Sequence, residues 1–237
     1  MDNKKQFWAV IPAAGAGKRM SADRPKQYLK IQNKTVIEHS LNRLLDHPEI
    51  AGAVIALDEN DTYWQSLNFT HSKPVLNIKG GAERCDSVLN ALHGLSLHLE
   101  NKDQSNVWVL VHDAARPCVR EKDLTKLIET ASADDNGGLL ALPVRDTMKK
   151  EQSGRVKVTV DRTGLWHALT PQMFKLPLLK NALQQAAEKK LHVTDDASAM
   201  ELAGYNPLLV AGHEDNIKIT RPFDLELAEL YMQNQLR

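Results

Sequence analysis

The sequence predicts an α/β domain built on a mostly parallel sheet, and three observations lead there. Short β-branched runs alternate along the chain with stretches of helical period. One of those runs, Val107 to Val111, is apolar on both faces, as a central strand covered by helices must be. The composition is globular: 42% of the 237 residues are hydrophobic, and 30 Lys and Arg balance 30 Asp and Glu. A chain of this length buries roughly 70% or more of its unfolded surface, so it needs no disulfide staple.

The elements follow in order. Phe7 to Pro12 is an apolar run of strand length. Thr35 to His47 carries Val36, Ile37, Leu41, Leu44 and Leu45 at a helical period. Ala51 to Leu57 and Pro74 to Ile78 read as strands, and Glu83 to Leu97 as a helix with Val88, Leu89, Leu92 and Leu95 on one side. Asp123 to Ala133 is helical, and Gly138 to Val144 is another strand. Arg155 to Asp161 then breaks the pattern: Val156, Val158 and Val160 alternate with Lys157 and Thr159 behind a Ser153-Gly154 turn, with Asp146 to Lys150 as the opposing strand. An isolated hairpin is marginal in water, so its valine face must rest on something. A partner subunit is the expectation, and folding back onto its own domain is the alternative. Leu176 to Lys190 and Asp195 to Ala203 are helical. Asn216 to Thr220 reads as a short strand, and Thr220, Pro222 and Asp224 suit the start of a final helix.

The charge balance excludes a dedicated duplex-DNA binder, because neutralising phosphates leaves a basic excess. No run approaches the ~18–20 apolar residues that span a bilayer. The apolar start is broken by Pro12 and followed by Lys18 and Arg19, so it reads as a strand entering a glycine loop and not as a leader, which places the protein in the cytoplasm. Cys85 and Cys118 lack a C-x-x-C spacing and read as reduced, small residues.

The strongest chemical signal ends the first strand: Pro12, Ala13, Ala14, Gly15, Ala16, Gly17, Lys18, Arg19, Met20, then Pro25, Lys26 and Gln27. Small residues let a backbone approach a ligand, and successive N–H groups cradle an anion. Three cations, Lys18, Arg19 and Lys26, call for a ligand with several negative charges. The loop is neither a dinucleotide fingerprint, since Met20 takes the third glycine position, nor a P-loop.

PAAGAGKRM followed by RPKQYL resembles the signature of nucleotidyltransferases that activate phosphorylated sugars and alcohols. More specifically, the chain resembles the 2-C-methyl-D-erythritol 4-phosphate cytidylyltransferase family. Further matches run through GGAERCDSV (Gly80 to Val88), VHDAARP (Val111 to Pro117), PVRDTMK (Pro143 to Lys149), TVDRTGLWHALTPQ (Thr159 to Gln172), TDDASAME (Thr194 to Glu201) and NIKITRP (Asn216 to Pro222). The resemblance implies cytidylyl transfer from CTP to methylerythritol phosphate with Mg2+, on a Rossmann-like fold. It further implies one nucleotidyltransferase domain over 1–237, with a β-hairpin dimerisation arm at about 145–163 that clasps a second copy.

The same resemblance assigns residues. Arg19 and Lys26 stabilise the transition state, Lys218 positions the acceptor for attack, and Arg162 binds the acceptor phosphate. Pro12, Ala13, Ala14, Gly15, Gly17 and Lys18 hold the nucleotide, while Gly81, Ala82 and Ser87 line the cytosine pocket. Ala82 departs from the Asp frequent in the family, so any base contact there is through the backbone. Thr147 and Thr170 bind the acceptor phosphate. Asp113, at a strand end, stands where a carboxylate meets metal, ribose or acceptor, although Mg2+ is expected mainly on triphosphate oxygens. Arg116 suits a bidentate grip on the acceptor phosphate. Thr194, Asp195 and Asp196 read as a helix cap, and His112 and His167 as structural. A cytidylyltransferase for ribitol 5-phosphate and a catalytically silent nucleotide-binding module stay open as alternatives. A glycosyltransferase is disfavoured, because the strand end reads His112-Asp113-Ala114-Ala115 and lacks a D-x-D motif.

Overall fold

A computed structural model describes residues 4–15 and 24–235. In chain order the elements are β1 (Gln6–Pro12), a 3-10 turn (Lys26–Tyr28), β2 (Lys30–Ile31), β3 (Lys34–Thr35), α1 (Val36–Leu45), β4 (Ile50–Leu57), α2 (Thr62–Leu67) and β5 (Val75–Lys79). They continue with α3 (Arg84–His98), β6 (Val107–Val111), α4 (Glu121–Ala131), β7 (Gly138–Pro143), β8 (Met148–Gln152) and β9 (Arg155–Val160). The chain finishes with β10 (Trp166–Lys175), α5 (Leu176–Glu188), α6 (Asp196–Leu202), β11 (Leu208–Ala211) and α7 (Pro222–Gln235).

Among the described residues, seven strands form one sheet in the order β11-β7-β10-β6-β1-β4-β5. Strand β1 pairs in parallel with both β4 and β6, and β5 extends the sheet beyond β4. Side chains alternate across it: Phe7, Ala9 and Ile11 pack on one face with Leu41, Leu44 and Leu127, while Trp8 and Val10 pack on the other with Leu92, Leu95 and Leu179. Helices α1 and α4 therefore cover one face, and α3 and α5 the other, which is the layering of a Rossmann-like α/β fold.

The sheet is mostly parallel, as expected, with β10 lying antiparallel between β6 and β7. Three features differ from the sequence reading. Strands β10 and β11 arise where the sequence shows no alternation strong enough to mark them. Asn216 to Thr220 is not a strand. It runs beside the loop after β6, with the Ile219 N–H on the Ala115 carbonyl at 2.9 Å, but it joins no ladder. Its alternation survives as packing: Ile219 is buried in a small cluster under α7 and Lys218 stays half-exposed. The cap of α7 is reversed. Asp224 accepts from the Thr220 and Arg221 amides at 2.8 Å, and the Thr220 hydroxyl donates to it at 3.0 Å.

The hairpin β8–β9 forms a separate two-stranded sheet with every residue exposed. Val156 is 64% exposed and Val158 49%, so the arm does not fold back onto its own sheet. No helix among the described residues is long and apolar enough to cross a membrane.

Candidate functional site

After β1 the chain goes out through β4 to β5, then returns to the other side of β1 as β6. That reversal is where open α/β sheets bind ligands, beyond the carboxyl ends of the strands. A cavity of about 310 Å³ lies there, and the ends of three parallel strands wall it. Pro12 to Gly15 follow β1, Gly81 to Arg84 follow β5, and Asp113 to Ala115 follow β6. Lys26, Gln27, Ser87 and Lys218 complete the lining.

The loops are fixed by backbone and by buried polar side chains. The Ala13 amide reaches Ala56 O at 2.8 Å, and the Gly80 amide reaches Leu57 O at 2.7 Å, so both loops leave the sheet in register. Only a glycine fits at 80, since a Cβ there would sit 2.5 Å from the Ala14 Cβ. Gln27, 4% exposed, donates to Ala13 O at 2.9 Å and Gly15 O at 3.3 Å, which fastens the near half of the glycine loop to the 3-10 turn. Lys26 in the same turn reaches Ile219 O at 2.8 Å. Ser87 Oγ accepts from the Gly81 amide at 3.0 Å and donates to Glu83 O at 3.1 Å. Its proton is spent on the loop, so it can meet a base only as an acceptor.

Asp113 is the centre of charge. Its Oδ1 accepts from Arg84 Nε at 3.2 Å, and its Oδ2 faces Lys218 Nζ at 2.9 Å and Arg116 Nε at 3.4 Å. Burial alone would push its carboxyl up, but the Arg84, Lys218 and Arg116 charges together outweigh that and hold it well below the usual carboxylate range. Its backbone is equally constrained. The Asp113 amide donates to Thr170 Oγ1 at 3.1 Å, and that hydroxyl lies 3.0 Å from His112 Nδ1. His112 Nε2 is 2.9 Å from Arg116 O. A carbonyl only accepts, which assigns the ring proton to Nε2 and leaves Nδ1 to accept from Thr170. Burial lowers the His112 pKa to about 4, consistent with a neutral ring.

These contacts revise several expectations. Thr170, 5% exposed, holds the Asp113 backbone and does not line the cavity. Arg116, 9% exposed, lies behind Asp113 and donates to Asn216 O at 2.7 Å, so it does not face the cavity as a phosphate grip. Asp113 is a poor metal ligand, because three cations already occupy both its oxygens. No group of three or more His, Cys, Asp or Glu among the described residues could hold a metal ion. Thr147 and Arg162 sit at the root of the arm, exposed and outside the cavity, with Arg162 donating to the Arg145 carbonyl. Gly17, Lys18 and Arg19 lie outside the described residues.

Pro12, Ala13, Ala14, Gly15, Lys26, Gly81, Ala82, Ser87, Asp113 and Lys218 do come together around one cavity. Sequence reading gave no role to Arg84 or Gln27 and placed Asn216 on a strand, although each stands inside a matched motif. It also missed half of the TDDASAME segment. Asp195 caps α6 through the Ser198 amide at 3.0 Å, as expected, but Asp196 turns inward to Arg84 at 2.8 Å.

The family model of 2-C-methyl-D-erythritol 4-phosphate cytidylyltransferase (IspD) matches residues 7–234. A protein of that name from Vibrio atlanticus is 51% identical over 94% of this chain and 94% of its own length. One from Photobacterium profundum is 49% identical over 98% of this chain and 99% of its own. The crystal structure of the Francisella tularensis protein superposes with a TM-score of 0.81 at 35% identity, covering 96% of this chain and all of the other.

Proposed function

The chain belongs to the 2-C-methyl-D-erythritol 4-phosphate cytidylyltransferase family, and from that premise we propose how its own residues carry the reaction. It is a nucleotidyltransferase that moves the cytidylyl group of CTP onto 2-C-methyl-D-erythritol 4-phosphate in isoprenoid precursor synthesis. An acceptor phosphate oxygen attacks the α-phosphorus of CTP, the bond to the β-phosphate breaks, and pyrophosphate leaves. Two anions meet and no protein nucleophile is required, so the work is positioning and charge stabilisation.

The observation that carries this reading is the cavity at the sheet reversal, where Lys26 and Lys218 flank a strand end and the backbone of residues 12–15 lies open to an anion. Lys26 and Arg19 stabilise charge on the α-phosphorus. The glycine-loop backbone, with Gly17 and Lys18, holds the triphosphate. Gly81, Ala82 and Ser87 receive the base, and Lys218 orients the acceptor. Asp113 anchors Lys218, and the buried Arg116 and Thr170 keep Asp113 in place. Mg2+, when bound, would be held by triphosphate oxygens and would neutralise charge there, since Asp113 is already engaged by three cations and no cluster of metal ligands stands among the described residues.

The arm supplies the rest. Its exposed valines want cover, and a second copy of the chain provides it, bringing Thr147 and Arg162 to the neighbour's acceptor phosphate in a homodimer. The enzyme acts as one domain in the cytoplasm, with no nucleic acid or membrane partner. Sedimentation across a concentration series checks the dimer, and a concentration-independent monomer would refute it. Pyrophosphate release with CTP, Mg2+ and either methylerythritol phosphate or ribitol 5-phosphate tests the reaction. Release confined to CTP with methylerythritol phosphate supports it. Release with the ribitol substrate instead moves the acceptor, and silence from a folded chain that binds CTP leaves a nucleotide-binding module.

A further inference from the structure

We propose that Asp196 is a positioning residue for cytidylyl transfer: it touches no substrate, but through Arg84 it fixes the Asp113 carboxylate, which in turn fixes Lys218. This rests on the transferase reading above.

The path is continuous. Asp196 is fully buried, and its Oδ2 accepts from Arg84 Nη2 at 2.8 Å. Arg84 Nε then donates to Asp113 Oδ1 at 3.2 Å, and Asp113 Oδ2 holds Lys218 Nζ at 2.9 Å. One guanidinium spans two carboxylates set on different elements, a fork geometry that a lysine cannot reproduce. Arg84 opens α3, Asp113 follows β6 and Asp196 opens α6.

The far anchor is itself rigid. Gln172, 1% exposed on β10, donates to Asp195 Oδ2 at 2.8 Å and accepts from the Ala197 amide at 2.7 Å. That clamp pins the start of α6 to the sheet on both sides of Asp196. Capping does not explain Asp196, because Asp195 performs the cap. Nor does hydrogen-bond satisfaction, because Asp196 Oδ1 is buried without a partner among the described residues. A buried ion pair is a weak source of stability, so the grip of Asp196 on Arg84 is better explained by placement.

Without it, Arg84 stands on the cavity wall with 28% of its side chain exposed and one anion fewer to hold it. It is then free to turn toward the triphosphate, drawing Asp113 off Lys218. Misplacing the acceptor-orienting lysine slows chemistry more than it weakens CTP binding.

The test is steady-state pyrophosphate release from CTP and methylerythritol phosphate by the wild-type chain, Asp196→Asn, Arg84→Lys and the double variant. Asp196→Asn keeps the shape and removes the charge. The expected result is a fall in kcat of about 10- to 100-fold with KM for CTP within about threefold. The double variant falls no further than the worse single, because both substitutions break the same path. Should Asp196→Asn fail to fold, Arg84→Lys carries the same kcat–KM split. Wild-type kcat in Asp196→Asn, or losses that multiply in the double, would overturn the proposal. A wild-type chain silent with these substrates overturns the transferase reading itself, so the two failures are distinct.

Discussion

Two clefts in this molecule are rich in charge, and they use it in opposite ways. The larger, of about 1200 Å³, lies among α4, the end of α7 and the loop after β11. There the cations are answered singly. Arg120 Nε meets Asp215 at 2.7 Å, Arg145 pairs with Glu214, and Lys126 reaches the Ala211 carbonyl at 3.0 Å. At the smaller cavity Arg84 and Lys218 on the wall and Arg116 behind it converge on the single carboxylate of Asp113, and Lys26 lines the same cavity. Size therefore does not mark the site. Place does: the smaller cavity lies at a strand-end reversal, where open α/β sheets bind their ligands, and its cations gather on one carboxylate.

The largest break in that contrast is Asp113→Asn. It leaves three cations around a neutral amide, and losing one partner of a buried charge cluster costs about 3–5 kcal/mol. Chemical denaturation should show that loss, and an unchanged midpoint would mean the cations are not held by Asp113. Next is Lys26→Ala, which should lower kcat by about 10²–10³ while KM for CTP changes little. Wild-type kcat in that variant removes Lys26 from the transition state.

Acid should loosen the wall behind Asp113. Burial takes His112 from its ordinary 6.5 down to about 4, so the unfolded chain binds a proton that the folded chain refuses. Its contribution is whole above pH 6.5 and is lost as pH falls from there to about 4, worth roughly 3 kcal/mol. His39 and His47, also lowered by burial, add to the same slope. The stability Asp113 contributes is whole above the ordinary carboxylate pKa and is lost only below it, since its own lies lower still. Denaturation midpoints across this range should fall with pH, and His112→Gln should flatten the fall. An identical profile in the variant would contradict the assignment of a neutral ring. The smallest effect belongs to the larger cleft: Arg145→Ala breaks a pair that is 72% and 61% exposed, so stability should move by no more than about 1 kcal/mol and kcat not at all. A tenfold fall in kcat would give that cleft a part in the reaction.

The contrast also separates what the sequence displays from what it hides. Strand β6 and helices α1, α3 and α5 were legible, because burial on a sheet or under a helix writes itself as periodicity. The near half of the glycine loop and Lys26 were legible as partners, because the motif that holds them both stands out locally, and the fold brings them to one cavity. Strand β10 was not, since its exposed first residues and buried later ones show no single period. Arg84 and Asp196 were hidden for another reason. Each has an ordinary local role, a helix start, and only the fold brings them within 2.8 Å across 112 residues of chain. Asn216 was assigned to a strand because Ile217 and Ile219 alternate, yet its amide donates to Thr170 O at 2.8 Å and no ladder forms. The arm was readable in outline, and Val156 and Val158 stay exposed on it in the single chain.

Hydrogen exchange with and without CTP and Mg2+ tests most directly which cleft is the site. The account predicts slowed exchange at residues 13–15, 81–87 and 113–115, with residues 121–126 and 142–145 unchanged. Protection at 121–126 and 142–145, with the strand-end loops unaffected, would contradict it and move the nucleotide to the larger cleft.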